Sequence, residues 1–334
     1  MKVCVVLVNW KGWADTLECL ESLLRCEPGG FTVVVCDNAS GDGSLQRIRD
    51  WAEGRLEVAV DPASPLRPLS FPPLPKPVPC AEYGRDGAER GGAPGDPRLV
   101  LVDTGENLGF AGGNNVGIRY ALARGGFDYL WLLNNDTVVR PDALRRLVEE
   151  AERNPRAGII GSTLLYYDRP DTVQTLGGGT YNWWLGLPRH IGAEEAAGTP
   201  RAAEARSAMS YVVGASMLVR ASFVREVGLL SEEYFLYFEE LDWAARARGR
   251  YTLGYAPESV VYHREGSSTG GKAAGAKSRV ADYHFYRNRV RFTRKFAPAL
   301  LPAVHLSLLL PMARRARRGE WDRVRMLAKL WFTA

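Results

Sequence analysis

Cysteine and histidine are scarce in this chain, with five and four copies among 334 residues. The cysteines are odd in number, and they show neither a CxxC pair nor the Cys/His spacing of a metal site. Such a pattern does not predict a disulfide framework. We therefore expect reduced cysteines and a cytoplasmic protein.

Long apolar runs are also missing. The apolar run 3–8 is too short for the hydrophobic region of a secretory signal. Residues 297–313 carry no charged side chain, but Pro298, Pro302 and Pro311 interrupt them. Because a membrane span needs about 20 predominantly apolar residues, we expect neither a signal segment nor a transmembrane helix.

Two common nucleotide-binding signatures are absent. No GxxxxGK[ST] motif occurs, which disfavours a P-loop ATPase. The glycine-rich stretch 107–115 is not GxGxxG, and it follows the third predicted strand rather than the first. An NAD-binding function is therefore disfavoured as well.

What remains is an ordinary globular composition with uneven charge. The chain is 46% apolar and 24% charged, which is typical of a soluble domain. The segment from Arg279 onward holds thirteen basic and three acidic residues, although the whole chain carries only +5. A basic module therefore follows an acidic body.

Predicted strands and helices alternate along the first half of the chain, and a further strand is expected beyond it. Strands are expected at 3–8, 31–36, 98–102, 130–134 and 211–219, and helices at 15–24, 44–51, 116–123 and 141–152. This alternation predicts an α/β fold with a mostly parallel central sheet, flanked by helices and joined by right-handed crossovers.

Residues 61–97 interrupt the alternation. They are rich in proline and glycine and have almost no apolar periodicity. We interpret them as an insertion loop without a packed core, in preference to a proline-rich ligand for a partner protein.

The apolar run Leu130 to Leu133 ends at Asn134, Asn135 and Asp136. Open α/β sheets bind ligands at the carboxyl ends of their strands, although Asn and Asp are also common in turns. A hard divalent cation prefers carboxylate oxygens, so Asp136 is a candidate metal ligand and Asn134 a weaker one.

Two adjacent carboxylates, Glu239 and Glu240, follow the aromatic segment 234–238 and begin a predicted helix. Neighbouring helical residues point about 100° apart, so the two carboxylates should serve different partners. One is a candidate general base. The alternative is two first-turn acids that favour the helix dipole.

Several short motifs follow one another in a specific order. They are Val8-Asn9-Trp10, Asp37-Asn38-Ala39-Ser40, Asn107 to Asn115, Leu133 to Asp136, Gly214 to Met217, Phe238 to Asp242 and Val261 to His263. This order resembles the family 2 inverting glycosyltransferases with the GT-A fold (the nucleotide-diphospho-sugar transferase fold), and among them the rhamnosyltransferase-like branch. The resemblance covers about residues 1–295 apart from the insertion, and we expect a catalytic domain there. Residues 296–334 are expected to form a basic amphipathic extension.

The resemblance implies a nucleotide pocket at the first two strands. Asp37 would hydrogen-bond the pyrimidine base of a nucleotide-sugar. The backbone around Val8 and Asn9 would line the same pocket, with Asn38 beside it. The implied donor is a dTDP- or UDP-sugar, with dTDP-rhamnose indicated by the branch.

The resemblance also implies a site for the diphosphate. Gly113 and Asn114 would lie near the nucleoside or diphosphate, and Asn134 and Asn135 occupy the place of the DXD motif. Asp136 would hold Mg²⁺ or Mn²⁺. Asn at the first position departs from the stricter form of the motif and weakens the expected affinity for metal.

The remaining roles implied by the resemblance concern catalysis. His263 matches a histidine that completes the metal site in some relatives, and Glu240 takes the place of the catalytic base. Relatives usually carry Asp there, so Glu240 is a mild departure. Glu239 and Asp242 are expected to orient the base or contact the acceptor.

The expected acceptor is a glycan or a lipid-linked glycan in cell-surface polysaccharide synthesis, and the expected enzyme is a hexosyltransferase. Trp183 and Trp184 are candidates for binding an acceptor ring, with core packing as the alternative. The rival functions are a nucleotidyltransferase and a catalytically inactive glycan-binding or scaffold protein.

The basic extension permits two interpretations. Residues 314–318 carry four arginines, and 321–332 have amphipathic spacing. This pattern is typical of a segment that lies on the anionic cytoplasmic face of a membrane, which would make the protein a peripheral membrane protein. A helix packed on the protein's own body is the alternative. Nucleic-acid binding is not expected, because no recognition motif accompanies the basic residues.

Overall fold

The computed structural model describes residues 1–199, 201–264 and 278–333. Its strands are β1 (Val3–Asn9), β2 (Thr32–Asp37), β3 (Cys80–Gly84), β4 (Leu99–Asp103), β5 (Tyr129–Asn134), β6 (Thr137–Val139), β7 (Ala157–Tyr166), β8 (Val173–Leu176), β9 (Gly178–Asn182), β10 (Leu187–His190), β11 (Tyr211–Val212), β12 (Ser216–Arg220) and β13 (Thr252–His263). Ten of these strands form one sheet, and β9, β10 and β11 form a second, smaller one.

The helices surround the large sheet and continue beyond it. They are α1 (Trp13–Leu23), α2 (Ser44–Ala52), α3 (Arg67–Ser70), α4 (Arg85–Glu89), α5 (Gly109–Arg124), α6 (Ala143–Arg153), α7 (Ala202–Ala208), α8 (Ala221–Val227), α9 (Glu239–Ala247), α10 (Arg279–Phe296), α11 (Leu301–Ser307), α12 (Leu309–Arg317) and α13 (Trp321–Thr333). A short 3₁₀ helix, Pro298–Leu300, precedes α11.

The large sheet has the order β3-β4-β2-β1-β5-β12-β7-β13-β6, with β8 added beside β7. Its first five strands are parallel, and β12 enters antiparallel between β5 and β7. The expectation of a mostly parallel sheet flanked by helices is confirmed.

Side chains of β1 alternate between two cores. Val5 and Leu7 pack in the core beneath α1, α2 and α6, whereas Cys4 and Val6 pack in the core beneath α5, α8 and α9. Successive side chains of a strand point to opposite faces, so an uninterrupted apolar run marks a strand covered on both sides. This is why the sequence of β1 is a continuous run of apolar residues.

The segment 61–97 is not entirely a loop, which corrects the sequence-based expectation. It contains the short helices α3 and α4 and the edge strand β3, which pairs in parallel with β4. The buried Glu21 carboxylate anchors it by accepting from the Leu74 amide at 2.8 Å and pairing with Lys76 at 3.2 Å. These contacts come from distant parts of the chain, so local composition did not reveal them.

Helix α5 begins at Gly109, earlier than the predicted 116, and includes the glycine-rich stretch. A Cβ atom on Gly117 would lie 2.4 Å from Val6 Cγ1, and one on Gly113 would lie 2.8 Å from Val8 Cγ1. Glycine at these positions therefore lets the helix lie directly against β1.

The predicted strand 211–219 is divided between the two sheets. Residues Tyr211–Val212 pair with β9 in the small sheet, and Ser216–Arg220 pair with β5 and β7 in the large one. The chain turns between them, where the Ser216 amide donates to the Val213 carbonyl at 3.3 Å.

The C-terminal helices pack on the body through α10. Asp282, which is buried, pairs with Arg315 at 2.6 Å and also with Arg323. Val290, Leu308 and Leu327 form a small apolar core between these helices. Among the described residues, no helix is both long and apolar enough to cross a membrane.

Candidate active site

The carboxyl ends of β1, β2 and β5 meet at one edge of the sheet. The strand register places Asn9 opposite Asp37 and Val8 opposite Asn134. Parallel pairing thus brings together residues from three distant segments, and three of the predicted site motifs share this edge.

A buried chain of hydrogen bonds crosses this edge. Asn135 Nδ2 donates to Thr16 Oγ1 at 2.8 Å, and Thr16 Oγ1 donates to Asn9 Oδ1 at 2.9 Å. Asn9 Nδ2 in turn donates to Asp37 Oδ1 at 2.5 Å. Asn9 and Asn135 therefore connect the strand ends to each other, and both side chains are buried.

The Asp37 carboxylate is held in one orientation. Oδ1 accepts from Ser40 Oγ at 2.6 Å, and Oδ2 accepts from the Ser40 amide at 3.0 Å. Hydrogen bonds of this kind orient a carboxylate for a further donor at its remaining lone pairs.

Val8, Asn38 and Gly113 come together beside Asp37. Asn38 Nδ2 donates to the Gly109 carbonyl at 2.9 Å, which ties β2 to the start of α5. A Cβ atom on Gly113 would lie 2.9 Å from the Asn38 amide. Asn114 is buried, and its amide donates to the Phe110 carbonyl at 2.9 Å.

Asp136 and His263 lie next to each other at the end of β5. His263 Nε2 is 3.2 Å from Asp136 Oδ1 and 3.2 Å from Asn134 Nδ2. The pairing of β13 with β6 brings His263 opposite Thr137 and produces this contact. The structure therefore unites the three residues that the sequence singled out as candidates for metal binding.

Gln174 orients the His263 ring. His263 Nδ1 donates to Gln174 Oε1 at 2.8 Å, an assignment that leaves the Nε2 lone pair directed at Asp136 and Asn134. Histidines that bind metals usually donate their other ring N–H in this way. Gln174 lies in the middle of β8, and no sequence signal singled it out.

This arrangement fits a divalent cation. For Mg²⁺–oxygen bonds of about 2.0–2.1 Å, two ligands at right angles lie about 3 Å apart, close to the 3.2 Å between Asp136 Oδ1 and His263 Nε2. Within residues 1–199, 201–264 and 278–333, no group of three His, Cys, Asp or Glu forms a metal cage. The protein thus offers a pair of ligands.

Glu239 and Glu240 begin α9 after a strained segment. Phe235, Tyr237 and Phe238 have φ angles of 62°, 67° and 78°, an uncommon conformation for bulky residues. Asn288 on α10 secures this segment, since its Nδ2 donates to three carbonyl oxygens within residues 234–237 at 2.7–3.0 Å. Backbone strain held by surrounding contacts is typical of functional sites.

Burial changes the acidity of both carboxyl groups. It raises the pKa of Glu240 to about 7. It also raises the pKa of Glu239 well above its ordinary value, and the neighbouring Glu240 charge adds to that shift. Oε2 of each residue lacks a hydrogen-bond partner among the described residues. A carboxylate with a pKa near neutrality is suited to act as a general base.

Asp242 is fully buried and pairs with cations. Its oxygens contact Arg246 Nε at 2.5 Å, Lys295 Nζ at 2.6 Å and the Tyr234 hydroxyl at 3.0 Å. These contacts join α9 to α10 and to the aromatic segment. Asp242 therefore orients the helix that carries Glu239 and Glu240.

Comparisons with known proteins point to one family of enzymes. The model of glycosyl transferase family 2 matches residues 86–204. The chain is 27% identical over 261 residues to N-acetylglucosaminyl-diphospho-decaprenol L-rhamnosyltransferase of Mycobacterium tuberculosis, a match that covers 70% of this chain and 83% of that one. These matches support a glycosyltransferase of family 2.

A second relative of this glycosyltransferase is the low-salt glycan biosynthesis hexosyltransferase Agl10 of Haloferax volcanii. The two are 28% identical over 151 residues, which is 45% of this chain and 46% of the relative. The match thus spans less than half the length of that protein. Neither relative favours the alternatives of a nucleotidyltransferase or an inactive scaffold.

Solved structures show the GT-A fold of the glycosyltransferase. GalNAc-T7 with UDP, GalNAc and Mn²⁺ has a TM-score of 0.57 at 14% identity, covering 87% of this chain and 48% of that one. The mannosyltransferase PcManGT of Pyrobaculum calidifontis, with GDP-Man and Mn²⁺, has a TM-score of 0.52 at 14% identity, with coverages of 98% and 84%.

The two tryptophans of the glycosyltransferase differ in their surroundings. Trp183 stacks on Phe292 with ring centres 5.6 Å apart, and the Arg248 guanidinium lies 4.8 Å from its ring. The Trp184 side chain is 67% exposed. Trp183 therefore packs in an aromatic cluster, and Trp184 is available at the surface.

Proposed function

We propose that this enzyme is an inverting glycosyltransferase that transfers a sugar from a nucleotide-diphosphate donor to a hydroxyl of a glycan or lipid-linked glycan. The observation that carries the proposal is the position of Glu240 in the first turn of α9, where its Oε2 atom is buried without a hydrogen-bond partner among the described residues. This burial raises the pKa of the carboxyl group to about 7. A group with these properties is suited to accept a proton from a sugar hydroxyl near neutral pH.

The reaction is a single displacement. Glu240 takes the proton of the acceptor hydroxyl while that oxygen forms a bond to the anomeric carbon. The bond between the anomeric carbon and the diphosphate breaks on the opposite face, and the nucleotide diphosphate leaves with the bonding electrons. One base and no nucleophilic residue give inversion at the anomeric carbon.

Asp136 and His263 would hold Mg²⁺ or Mn²⁺ beside the diphosphate, with Asn134 as a weaker neighbour. A bound cation supplies neutralisation of the charge that grows on the leaving group. The 3.2 Å contact between Asp136 and His263 supports this assignment, and so does the Gln174 hydrogen bond that orients the imidazole. The two structural relatives above were solved with Mn²⁺.

The donor pocket would lie beside Asp37. Its oriented carboxylate would accept a hydrogen bond from a pyrimidine base, and Val8, Asn38 and Gly113 would border the nucleoside. Asn9, Asn114 and Asn135 would support this pocket from within, because their amides are already bonded to the protein.

Rhamnose is the sugar that we propose, with dTDP-rhamnose as the donor. The support comes from the mycobacterial relative, whose name describes transfer of L-rhamnose to N-acetylglucosaminyl-diphospho-decaprenol. A lipid-linked acceptor of that kind would place the enzyme in the cytoplasm, at the inner face of the membrane, during synthesis of a cell-surface polysaccharide.

The test measures release of nucleotide diphosphate from a panel of dTDP-, UDP- and GDP-sugars with Mn²⁺ and a glycan acceptor. The wild type and Glu226→Gln, an exposed control, should release it equally. Glu240→Gln should reduce kcat by about 10²–10⁴-fold. Undiminished release by Glu240→Gln would overturn the mechanism, as would the absence of transfer from every donor.

A further inference from the structure

Helices α11 and α12 present an apolar face to solvent. Leu306, Leu309 and Leu310 are 63%, 51% and 57% exposed. The backbone stays helical through Leu308, with φ −70° and ψ −20°, so these three residues lie on one side of a nearly continuous helix. Exposed leucines grouped in this way are unusual on a soluble surface.

The opposite side of the same helices is already packed on the protein. Val304 and Leu308 are fully buried, and Arg315 pairs with Asp282 at 2.6 Å. The two interpretations of the basic extension are therefore compatible, because one face packs on the body and the other does not.

Arginines continue the exposed face toward its C-terminal end. Arg314 and Arg317 are exposed and follow Leu310 at helical spacing. No Asp or Glu occurs between 297 and 319. Among the described residues, Arg314 and Arg317 form no ion pair. A helical face with leucines and such arginines is complementary to an anionic lipid surface, where side-chain stems enter the apolar layer and the guanidinium groups meet phosphate.

A second copy of the chain would fit this face poorly. In a symmetric pair the same surface meets itself, so Arg314 and Arg317 would face a segment that contains no acidic residue. Their charges would be desolvated without a partner. An anionic membrane neutralises them instead.

The face also adjoins the β9–β10 hairpin, which packs near the segment that precedes Glu239 and Glu240. Ser307 Oγ lies 3.5 Å from the Leu185 carbonyl, at the tip of the β9–β10 hairpin where Trp184 and Leu185 are exposed. Close to this tip, on β9, the Tyr181 ring lies 6.2 Å from that of Phe238, which directly precedes the two carboxylates.

We propose that the face formed by Leu306, Leu309, Leu310, Arg314 and Arg317, together with Trp184 and Leu185, docks the enzyme on the surface of an anionic membrane. A tryptophan at the edge of such a face is suited to the headgroup layer. The additional step that a lipid-linked acceptor then reaches Glu240 beside the hairpin rests on the proposed function.

Co-sedimentation of the full-length protein with vesicles tests the docking. Vesicles of phosphatidylcholine with phosphatidylglycerol should carry down the wild type, and vesicles of phosphatidylcholine alone should carry down much less. Leu306→Ser combined with Leu310→Ser should lower binding about tenfold or more. Arg314→Ala combined with Arg317→Ala should lower binding to the anionic vesicles about tenfold.

Two matched controls accompany these variants. Arg90→Ala combined with Arg225→Ala removes the same charge from exposed positions elsewhere, and Phe71→Ser removes an apolar side chain that is 38% exposed. Both should bind like the wild type. Circular dichroism and thermal melting of every variant show whether it is still folded, so that weaker vesicle binding can be assigned to the changed surface.

The proposal is overturned if the wild type stays in the supernatant with anionic vesicles, or if the leucine variant binds as the wild type does. A dimer in solution that the leucine substitutions dissociate would also overturn it, since the face would then belong to a second copy. Transfer to a short soluble acceptor tells the two proposals apart. If sugar is transferred but the protein does not bind vesicles, only the docking proposal is overturned. If the protein binds vesicles but transfers no sugar, only the proposed function is overturned.

Discussion

Gln174 Oε1 accepts a hydrogen bond from His263 Nδ1 at 2.8 Å, although 89 positions separate the two residues in the chain. The bond fixes which ring nitrogen faces Asp136. It also places the Gln174 amide directly behind the imidazole. A substitution of Gln174 therefore alters the orientation and basicity of the His263 ring and leaves both candidate metal ligands in the chain.

Gln174→Leu should weaken binding of Mn²⁺ about 10–100-fold, because the imidazole loses the acceptor that orients it. Titration calorimetry, or the electron paramagnetic resonance signal of free Mn²⁺ in the presence of the nucleotide diphosphate, measures this directly. Gln46→Leu, at an exposed position on α2, is the control. Equal Mn²⁺ affinity in Gln174→Leu and the wild type would remove Gln174 from this role.

Activity should depend on the ionisation of Glu240. Only the carboxylate accepts a proton, and burial raises its pKa to about 7. We therefore expect kcat/KM to fall with decreasing pH below about 7 and to level off above it. The measurement is a pH profile of nucleotide diphosphate release. A profile that stays flat from about pH 5 to 8 would contradict the assignment of Glu240 as base.

The same raised pKa has a consequence for stability. Because the folded-state pKa of Glu240 lies above the ordinary 4.5, its contribution to stability is fully present below about pH 4.5 and is lost as pH rises through about 7. Glu240→Gln stays neutral, so we expect its melting temperature to exceed that of the wild type by a few degrees at pH 8. This gain should vanish near pH 4.5.

Differential scanning calorimetry at the two pH values measures this difference. Glu226→Gln, at an exposed position, should show no gain at either pH. A Glu240→Gln variant that is less stable than the wild type at pH 8 would mean that the ionised carboxylate has stabilising partners in solution.

Asp282 holds the C-terminal helices in place. Asp282→Asn leaves Arg315 and Arg323 with the Glu320 carboxylate alone, and these arginine side chains are only 15% and 24% exposed. We expect a loss on the order of 2–3 kcal/mol, expressed mainly as local opening of α12 and α13. Hydrogen exchange resolved by peptide measures that opening.

The matched control is Asp322→Asn, because the Asp322 side chain is 57% exposed and lies 3.7 Å from Arg279. Exposed pairs contribute little, so its exchange should match the wild type. Equal protection of residues 309–333 in Asp282→Asn and the wild type would show that the apolar contacts alone hold these helices.

Gly117 allows α5 to lie against β1. A Cβ atom there would be 2.4 Å from Val6 Cγ1, so Gly117→Ala must displace the helix or the strand. We expect a loss of about 1–3 kcal/mol in the free energy of unfolding. Denaturant titration followed by tryptophan fluorescence measures it.

Gly87→Ala is the control for the general effect of replacing glycine by alanine within a helix. Gly87 also lies in a helix, and its added Cβ would meet Tyr83 at an ordinary 3.7 Å. This variant should be unchanged or slightly stabilised, since alanine favours a helix over glycine. A similar change in the free energy of unfolding of both variants would indicate an effect of helix propensity rather than of the contact between α5 and β1.

Much of the site was predictable because it depends on strand ends. Asn9, Asp37 and Asn134 each follow an apolar run, and parallel pairing places the carboxyl ends of such runs at one edge. The alternation of strands and helices was also readable, since α/β periodicity is a local property. The family followed from the order of short motifs.

Three features could not be predicted locally. β3 was hidden within a proline-rich segment, since an edge strand is defined by its hydrogen bonds to β4. Gln174 has no pattern of its own and gains a role only because β8 and β13 both pair with β7. The start of α5 depends on how closely its glycines approach β1.

The amino-acid sequence alone thus determined the class of fold, the family and the polar residues at the sheet edge, because apolar periodicity and motif order are properties of neighbouring positions. The tertiary structure decided which candidates touch and which faces stay exposed. Asp136 and His263 meet through the pairing of β13 with β6, and Leu306 and Leu310 stay at the surface because Val304 and Leu308 occupy the packed side. Contacts between distant segments decide such outcomes, and local sequence does not record them.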